Sequence, residues 1–569
     1  MRSLETLLLM AGLLTLSVLS VPRFRATRWM RLSATAALVI AVTQVLVEGP
    51  RWQMFPAYSL TALFLLVSMP NNVATAGGPA VRMRHPQLAV GLGIAWLAVA
   101  VSLPMIVPVF RFPTPTGPHA IGTLTYHGVD AARSEVFATD PKERRQLMVQ
   151  IWYPAHANPS APRAAYMPDA ATVTTAFARI HDKSGFVFGH FKYVTSNAMS
   201  SVPVAGDQPT YPVLLFLEGA TGFRQMNSFQ VEHLVSHGYI VVALDQPGAA
   251  AVVVFPDGHQ AAGLTLAQFH AAVGPSYLPG GPAKDNSVIP YLAKDVVFAL
   301  DQRVALNRAD PNGILTGKLD LQRVGAFGVS LGGIVVGEAC RFDPRLRACL
   351  VMDAPMSTDV VTAGLHQPGM WITRDAASMR LERQRAGGWP DAEVEAHQTS
   401  MRSVYEGLSG AGYFVRVPGM FHSNFTDIAN WTPLAPQWGL AGPIDARRAH
   451  DIINAYSLAF FDRHLQGRPA KLLDGPARQY PEAMFESRRP RGDAPSVRVE
   501  SLTDRFASMP RGQRWAPQGR MLVYASVQCL NGAGSKKDTQ RDALPNSRSA
   551  PRSERSTNGS DHDDVVQSG

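Results

Sequence analysis

Cysteine is scarce in this chain, and its scarcity excludes two classes of protein. The 569 residues include three cysteines, Cys340, Cys349 and Cys529. These are too few for a scaffold built on disulfides or for a zinc site made of clustered thiolates. Cys340 and Cys349 could form a disulfide if the domain lies in an oxidising compartment, and they could equally be two buried free thiols.

Clustered positive charge is missing from the central region, although the formal net charge of the chain is +9. Residues 1–112 contain nine Lys or Arg against two acidic residues, and residues 488–569 contain fourteen against nine. The central region therefore has a net charge of −3. Nucleic-acid binding depends on clustered cations that displace counterions from phosphates, so we expect no nucleic-acid partner.

Long apolar runs are confined to the first 112 residues, where four of them lie at 4–21, 32–47, 54–69 and 88–110. A helix needs about 20 apolar residues to cross a bilayer, and the two middle runs are somewhat short. A cleavable signal peptide could explain the first run but not the other three. We predict four transmembrane helices within residues 1–112.

Arginines between the apolar runs predict how the helices are oriented. Four arginines, including Arg23 and Arg31, follow the first run, and Arg82 and Arg84 follow the third, whereas the second is followed by Arg51 alone. Because positively charged loops remain in the cytoplasm, we place the first and third loops inside and both termini outside. The globular part is predicted to face the periplasm or exterior of a bacterial inner membrane.

The region 113–487 alternates between strand-like and helix-like segments, which is typical of βαβ units around a mostly parallel sheet. The sequence predicts strands at 147–153, 213–217, 240–244, 323–327, 348–352, 369–373 and 413–417, and helices at 228–237, 291–306, 333–341 and 449–465. Several strands are continuous apolar runs, as expected when helices cover both faces of the sheet. The fold class is therefore α/β.

Two segments outside this pattern have little regular structure. Residues 488–569 are polar and, from 531 onward, contain no aromatic residue. Because such a segment cannot bury enough surface to order itself, we predict a largely disordered tail. The insertion at 246–286 is long for a connection, and it could border a substrate pocket or be a plain surface excursion.

A G-x-S-x-G motif at residues 328–332 carries the chemistry, with Ser330 between Gly328 and Gly332. The motif follows a predicted strand and precedes an apolar helix, which is the setting of a nucleophile elbow. Small flanking residues let the turn close while the hydroxyl stays exposed. A purely structural turn is the alternative, but the strand, the helix and a third glycine at 333 favour a nucleophile.

A serine hydroxyl needs a base to remove its proton and an acid to orient that base. Asp353 ends the next predicted strand beside Ser330, with Asp359 and Asp375 as alternatives. Among 16 histidines, His422 combines a late position, a strand end and polar neighbours. The sequence predicts a triad of Ser330, Asp353 and His422.

Two backbone N–H groups are expected to bind the oxyanion formed during acyl transfer. Leu331, directly after the nucleophile, supplies the first. The loop at 218–222 follows an earlier strand and supplies the second, with Ala220 as the favoured donor, although a structural glycine turn is an alternative there. We expect no metal and no cofactor.

The chain resembles the platelet-activating factor acetylhydrolase family of α/β hydrolases and its bacterial lipase-like relatives. The resemblance spans roughly residues 149–427 and rests on IWYP at 151–154, SHGYIV at 236–241, LDLQRVG at 319–325, the elbow, MD at 352–353 and HSNF at 422–425. It implies an α/β-hydrolase fold and calcium-independent hydrolysis of short or oxidised acyl esters, often on lipids, through an acyl-enzyme. Glu218 and Val329 stand where relatives usually carry His, so these departures bear on the substrate.

The leading hypothesis is a serine carboxylic ester hydrolase that acts on a small-molecule or lipid ester of short to medium acyl chain. An acyltransferase would use the same triad but pass the acyl group to an alcohol or amine. A non-catalytic, membrane-anchored binding module is a third possibility. The complete set of triad residues argues against this third hypothesis.

Overall fold

The computed structural model describes residues 1–25, 28–69, 86–273, 288–490 and 516–517. The predicted tail at 488–569 therefore lies almost entirely outside the described residues. The last part of the predicted insertion, residues 274–286, lies outside them as well.

The N-terminal region is helical. Its helices are α1 (Ser3–Ser20), α2 (Pro22–Arg25), α3 (Arg28–Val47), α4 (Phe55–Ser68) and α5 (Pro86–Ile106). Among the described residues, three helices, α1, α3 and α5, are long and apolar enough to cross a membrane.

The described residues therefore contain three helices of this kind and not the four that the sequence predicts. The third apolar run begins with a 3-10 turn at Trp52–Met54, and α4 itself has 14 residues. At 1.5 Å per residue such a helix is about 21 Å long, which is shorter than a hydrocarbon core of about 30 Å. The described chain thus has three long apolar helices and one short one.

One end of this helical region is held together by Arg51, which follows α3. Its Nε lies 2.6 Å from Oε1 of Glu5 in α1, and its guanidinium donates to the carbonyl of Val107, after α5, over 2.8 Å. The start of α1, the segment between α3 and α4, and the end of α5 therefore lie side by side. The arginine-bearing segment after α1 lies at the opposite end of that helix.

The same end contacts the rest of the chain through three hydrogen bonds. Tyr193 donates to the carbonyl of Pro50 over 2.7 Å. Trp52 donates to the carbonyl of Val187 over 3.3 Å, and Thr432 donates to the carbonyl of Ile106 over 2.7 Å. The residues beyond 112 therefore contact the ends of these helices at several points.

A large sheet organises the region beyond the helices. Its strands, with those of a separate hairpin, are β1 (Ala120–Ser134), β2 (Arg144–Ala155), β3 (Arg163–Ala165), β4 (Thr195–Ser200), β5 (Tyr211–Leu217), β6 (Ile240–Asp245), β7 (Val252–Val254), β8 (Gln260–Ala262), β9 (Leu319–Val329), β10 (Leu346–Met352), β11 (Gly369–Thr373), β12 (Gly412–Arg416), β13 (Met484–Arg488) and β14 (Ala516–Pro517). The order across the sheet is β13-β12-β11-β10-β9-β5-β6-β2-β1-β4-β3, with β14 beside β1, whereas β7 and β8 form the hairpin.

The strands from β12 to β6 run parallel to one another, and β2 is antiparallel to both of its neighbours. All seven predicted strands are present. The prediction of a mostly parallel sheet is confirmed.

Helices cover both faces of the sheet. They are α6 (Ala170–Ile180), α7 (Ser228–Ser236), α8 (Leu266–Val273), α9 (Val288–Arg308), α10 (Leu331–Phe342), α11 (Thr358–Ala363), α12 (Ala376–Ala386), α13 (Asp391–Gly407) and α14 (Ala446–Leu465). Alternate residues of β5 belong to two different buried clusters: Val213 and Leu215 pack in the cluster with α9 and α10, and Leu214 and Phe216 pack with α7 and α14. Burial on both faces explains why this strand is a continuous apolar run.

A disulfide joins Cys340 in α10 to Cys349 in β10, with the Cα atoms 6.7 Å apart. Of the two alternatives open from the sequence, the structure has the bonded pair. The bridge connects the helix after Ser330 to the strand before Asp353.

Candidate active site

Ser330 occupies the sharp turn between β9 and α10. Its φ of 56° and ψ of −123° lie in a region that residues with side chains rarely adopt. A Cβ on Gly332 would lie 2.0 Å from the carbonyl oxygen of Leu217, and one on Gly328 would lie 2.4 Å from the carbonyl of Gly332. Gly332 is therefore required for the turn to pack against the end of β5, and Gly328 is required for the turn itself to close.

Asp353 lies beside Ser330 because of the register of the parallel strands. Met352 is paired with Val329 on one side and with Ile372 on the other. The N–H of Ser330 donates to the carbonyl of Met352 over 3.0 Å, and that of Asp353 donates to the carbonyl of Ile372 over 2.9 Å. Both candidate residues thus leave the same edge of the sheet.

His422 begins a short 3-10 turn, His422–Phe425, after β12. Its Nδ1 lies 2.5 Å from Oδ2 of Asp353. The other carboxylate oxygen accepts a hydrogen bond from Thr373 over 3.0 Å. The structure therefore brings the predicted imidazole and the predicted carboxylate into direct contact in a buried position.

The alternative acids occupy ordinary helix positions. Asp375 caps α12, where its side chain accepts the N–H of Ser378 over 2.9 Å. Asp359 lies in the first turn of α11. Each has the role that an aspartate commonly plays at a helix N-terminus.

The loop at residues 218–222 runs close to Ser330. A Cβ added to Gly219 would lie 3.2 Å from Cβ of Ser330 and 3.7 Å from its Oγ. The N–H of Thr221 is occupied by the carbonyl of Ala249, and that of Gly222 by the carbonyl of Gly219. The loop is therefore held by its own backbone bonds while its start approaches the serine.

The N–H groups of Ala220 and Leu331 also lie next to Ser330 along this loop and turn, and neither donates to a backbone carbonyl outside its own element among the described residues. Leu331 is the first residue of α10, so its N–H has no acceptor in its own helix. These are the two donors that the sequence predicts for an oxyanion.

Asp353 is ionised by its surroundings. Burial alone would raise the pKa of this carboxyl, but the charge of Arg374 and the contact with His422 hold it well below its ordinary value. Nε of Arg374 lies 2.9 Å from Oδ2 of Asp353. The sequence reasoning missed Arg374, although its position directly after β11 at this edge of the sheet was a usable signal.

Two buried acidic residues, Glu218 and Asp245, lie close together where the loop at 218–222 begins. Burial and the neighbouring charge of Asp245 raise the pKa of Glu218 well above its ordinary value. Burial also raises the pKa of Asp245, whose Oδ1 accepts the N–H of Arg224 over 2.8 Å. Burial lowers the pKa of the Arg224 guanidinium to about 9. Burial in this position therefore disfavours the charged form of Glu218.

Within the described ranges, no group of three or more His, Cys, Asp or Glu residues is arranged to hold a metal ion.

The chain is similar to known esterases. Residues 106–262 match the family model of platelet-activating factor acetylhydrolase, isoform II. A probable 1-alkyl-2-acetylglycerophosphocholine esterase of Arthroderma benhamiae is 24% identical, over 68% of this chain and 96% of that protein. The platelet-activating factor acetylhydrolase of Cavia porcellus is 25% identical, over 45% of this chain and 58% of its own length.

A solved structure is also similar, that of a ferulic acid esterase from Streptomyces cinnamoneus. It has a TM-score of 0.52 and 26% sequence identity, and the match covers 66% of this chain and 99% of that one. The resemblance predicted from the sequence is confirmed by these findings. The chain has an α/β-hydrolase fold and is a carboxylic ester hydrolase, and it is similar to the platelet-activating factor acetylhydrolase family.

Proposed function

We propose that this carboxylic ester hydrolase cleaves acyl esters with Ser330 as nucleophile, His422 as base and Asp353 as acid. The observation that carries the proposal is the contact of 2.5 Å between His422 Nδ1 and Asp353 Oδ2. It lies at the sheet edge where Ser330 occupies its strained turn. A nucleophile, a base and an orienting acid from three strand ends form the arrangement that activates a serine hydroxyl.

The reaction has two halves. Nε2 of His422 takes the proton of Ser330 as Oγ attacks the ester carbonyl, and the N–H groups of Leu331 and Ala220 donate to the resulting oxyanion. His422 then passes the proton to the leaving alcohol, which leaves an acyl group on Ser330. Water, deprotonated by His422, releases the acid and restores the serine. The ionised Asp353 stabilises the imidazolium in both halves.

The substrate class we propose is an acyl ester of short to medium chain, on a small molecule or a lipid. The names of the relatives support this class, because one is a probable esterase of an acetylated glycerophosphocholine and another is a ferulic acid esterase. Glu218 is expected to influence which esters of this class are preferred, since it immediately precedes the loop residues beside Ser330. Burial raises the pKa of its carboxyl.

A graded series of para-nitrophenyl esters tests both the chemistry and the depth of the acyl site. We expect activity on short and medium chains, and we expect Ser330→Ala to lower kcat by about 1,000-fold or more. Ser403→Ala, at an exposed position on α13, is the matched control and should leave kcat unchanged. Equal rates for the wild type and Ser330→Ala would refute the proposal, and transfer of the acyl group to added glycerol in place of water would identify an acyltransferase.

We also propose that the chain is anchored in a membrane through residues 1–112, with the catalytic domain at 113–487 outside the cytoplasm and a polar tail at 488–569. Three apolar helices of sufficient length support the anchor. Contacts at Pro50, Trp52 and Ile106 support the outward orientation, because they lie at the helix ends opposite the arginines after α1. The Cys340–Cys349 disulfide supports it independently, since disulfides persist in oxidising compartments.

Protease treatment of intact spheroplasts tests the orientation. We expect the catalytic domain to be digested without lysis, while a cytoplasmic marker protein stays intact. Protection of the domain until the membrane is opened would place it inside and contradict the proposal.

A further inference from the structure

Four residues, among them the candidate acid and base, form a closed ring of contacts. Oδ2 of Asp353 contacts both Nδ1 of His422 at 2.5 Å and Nε of Arg374 at 2.9 Å. The Arg374 guanidinium also pairs with Oε2 of Glu382. The second oxygen of Glu382, Oε1, accepts the backbone N–H of His422 over 3.2 Å. The ring therefore holds His422 at its imidazole and at its backbone.

The members of the ring come from four separate elements and are all buried. Asp353 follows β10, Arg374 follows β11, Glu382 lies in α12 and His422 follows β12. Their exposed fractions are 0%, 3%, 6% and 9% respectively. Burying an ion pair is at best weakly stabilising, because the cost of removing both charges from water offsets their attraction. Stability alone is therefore a poor reason to place Arg374 and Glu382 here.

We infer that Arg374 and Glu382 are positioning residues that fix the orientation of His422 and balance the charge of Asp353 during ester hydrolysis. The inference rests on the function proposed above and assigns two further residues to it. Neither residue is required to touch the substrate. Arg374 fixes the rotation of the Asp353 carboxylate, and Glu382 fixes the backbone from which the imidazole projects.

The charge of Arg374 has a second effect. An isolated buried carboxylate next to an imidazole favours the protonated ring, which cannot accept a proton from a serine. The guanidinium beside Asp353 offsets part of that negative charge. Removal of the guanidinium charge is then expected to narrow the range of pH over which the base works.

The other groups around this site are the negative carboxylate of Glu382, the ring of His397 and the indole of Trp389. Burial, which outweighs the charge of Asp353, lowers the pKa of His397 to about 4, so its ring is neutral near pH 7. Trp389 lies 5.5 Å from the Arg374 guanidinium and 6.1 Å from the His422 ring, measured to the ring centroids. Arg374 is therefore the permanent positive charge in this group.

Kinetics of single and double variants across about pH 5 to 10 test the inference. We expect Arg374→Met to lower kcat by about 10-fold to 100-fold at the pH optimum with little change in KM, because misplacement of a catalytic group slows the chemical step. The acidic limb of the kcat/KM profile should move to higher pH by about one unit. Arg374→Lys should restore the position of that limb but only part of kcat, since a lysine keeps the charge and loses the planar fork.

Glu382→Gln is expected to lower kcat several-fold. The double variant Arg374→Met with Glu382→Gln should cost about as much as Arg374→Met alone, because the two residues act through one ring. Arg380→Met is the matched control: it lies on the same helix, α12, and its pairs with Asp391 and Glu395 are exposed. This control should leave kcat and the pH profile unchanged.

Three outcomes separate this inference from the proposed function. If Ser330→Ala stays active, the proposed function itself fails. If Ser330→Ala is inactive but Arg374→Met matches Arg380→Met, the role of the ring alone fails. A merely structural role would give a different result. Arg374→Met would then lose activity in proportion to the loss of folded protein seen by circular dichroism, its pH profile would be unchanged, and Arg374→Lys would show no recovery. This result would also overturn the inference.

Discussion

Gly219 is the residue at which the loop after β5 comes nearest to Ser330. The space that a methyl group would fill there lies 3.2 Å from Cβ and 3.7 Å from Oγ of the serine. A substrate carbonyl must enter the same neighbourhood to meet both Oγ and the N–H of Ala220. The absence of a side chain at this position is therefore part of the candidate site.

We predict that Gly219→Ala lowers kcat/KM for para-nitrophenyl acetate by about 100-fold, which is the size of effect seen when one oxyanion donor is lost. The added methyl group displaces the carbonyl from the N–H donors. Gly475→Ala is the control, because a Cβ there meets no atom within 4 Å. Wild-type kinetics in Gly219→Ala would show that the loop does not border the acyl carbonyl.

Glu232 is a buried acid in α7 that the proposed mechanism does not use. Its carboxylate accepts the backbone N–H of Asn197 over 2.7 Å and the side-chain amide over 2.8 Å. Burial nevertheless raises its pKa to about 7. The folded protein therefore holds a proton between about pH 4.5 and pH 7 that the unfolded chain has released.

Because the folded state binds more protons in that interval, Glu232 makes the folded state less stable as the pH rises through it. We predict that the stability of Glu232→Gln relative to the wild type increases between pH 5 and pH 7, by about 3 kcal/mol over the full window. Urea unfolding at several pH values measures the difference. A constant difference across this range would contradict the prediction, whatever the absolute stability of the variant.

Single residues differ in how well the sequence predicted them. Ser330, Asp353 and His422 could be singled out because each follows an apolar strand and because their order along the chain suits a triad. Arg374 was missed although it directly follows β11 at the same edge of the sheet. Glu382 could not be singled out, since a charged residue on a polar helix such as α12 usually faces water. Their partners are distant in the sequence or on another element: Arg374 pairs with Glu382, and Glu382 accepts the backbone N–H of His422.

At the scale of elements, prediction succeeded where burial leaves a local signal. The strand β5 is apolar throughout because both of its faces are covered, and β11 and the C-terminal parts of β9 and β10 share this property. The strand β1 was missed. Its 15 residues include small and polar side chains among the apolar ones, so no clear local pattern marks a strand. The segment forms a strand through its antiparallel pairing with β2.

The disulfide between α10 and β10 closes a short loop, since its cysteines are 9 residues apart in sequence. Such a loop is expected to contribute about 2 to 3 kcal/mol by restricting the unfolded chain. We predict that the double variant Cys340→Ala with Cys349→Ala unfolds at lower temperature than the oxidised wild type but retains its kcat. Reduced wild-type protein is the control and should match the variant, and equal thermal stability of the oxidised wild type and the variant would contradict the prediction.

At the scale of the whole molecule, the segment that connects the helices to the sheet is packed against buried aromatic residues. Phe110 and Phe112 follow α5, and their ring centroids lie 5.7 Å and 5.0 Å from that of Tyr166. Both are buried in a cluster that includes Phe191 and Phe223. The sequence indicated a membrane region followed by a domain, but it did not indicate that the segment between them would be buried in the core of the domain.

We predict that the double variant Phe110→Ala with Phe112→Ala loosens the packing of this connecting segment. Each ring removed from a packed core costs about 3 to 5 kcal/mol, and Arg111 between them is exposed. Trypsin should therefore cut after Arg111 much faster in the variant than in the wild type, measured on the full chain in detergent. Phe342→Ala, at a site 40% exposed, is the control, and equal cutting rates in all three proteins would contradict the prediction.

The two margins of the sheet, β3 and β13, are three and five residues long. On β13, Glu486 takes part in ion pairs with Arg402 and Arg416, and Arg488 donates to the carbonyl of Tyr405. Short edge strands with charged side chains are poor templates for the addition of a strand from another molecule. The edges of this wide sheet therefore offer few main-chain groups for pairing with a strand of a second molecule.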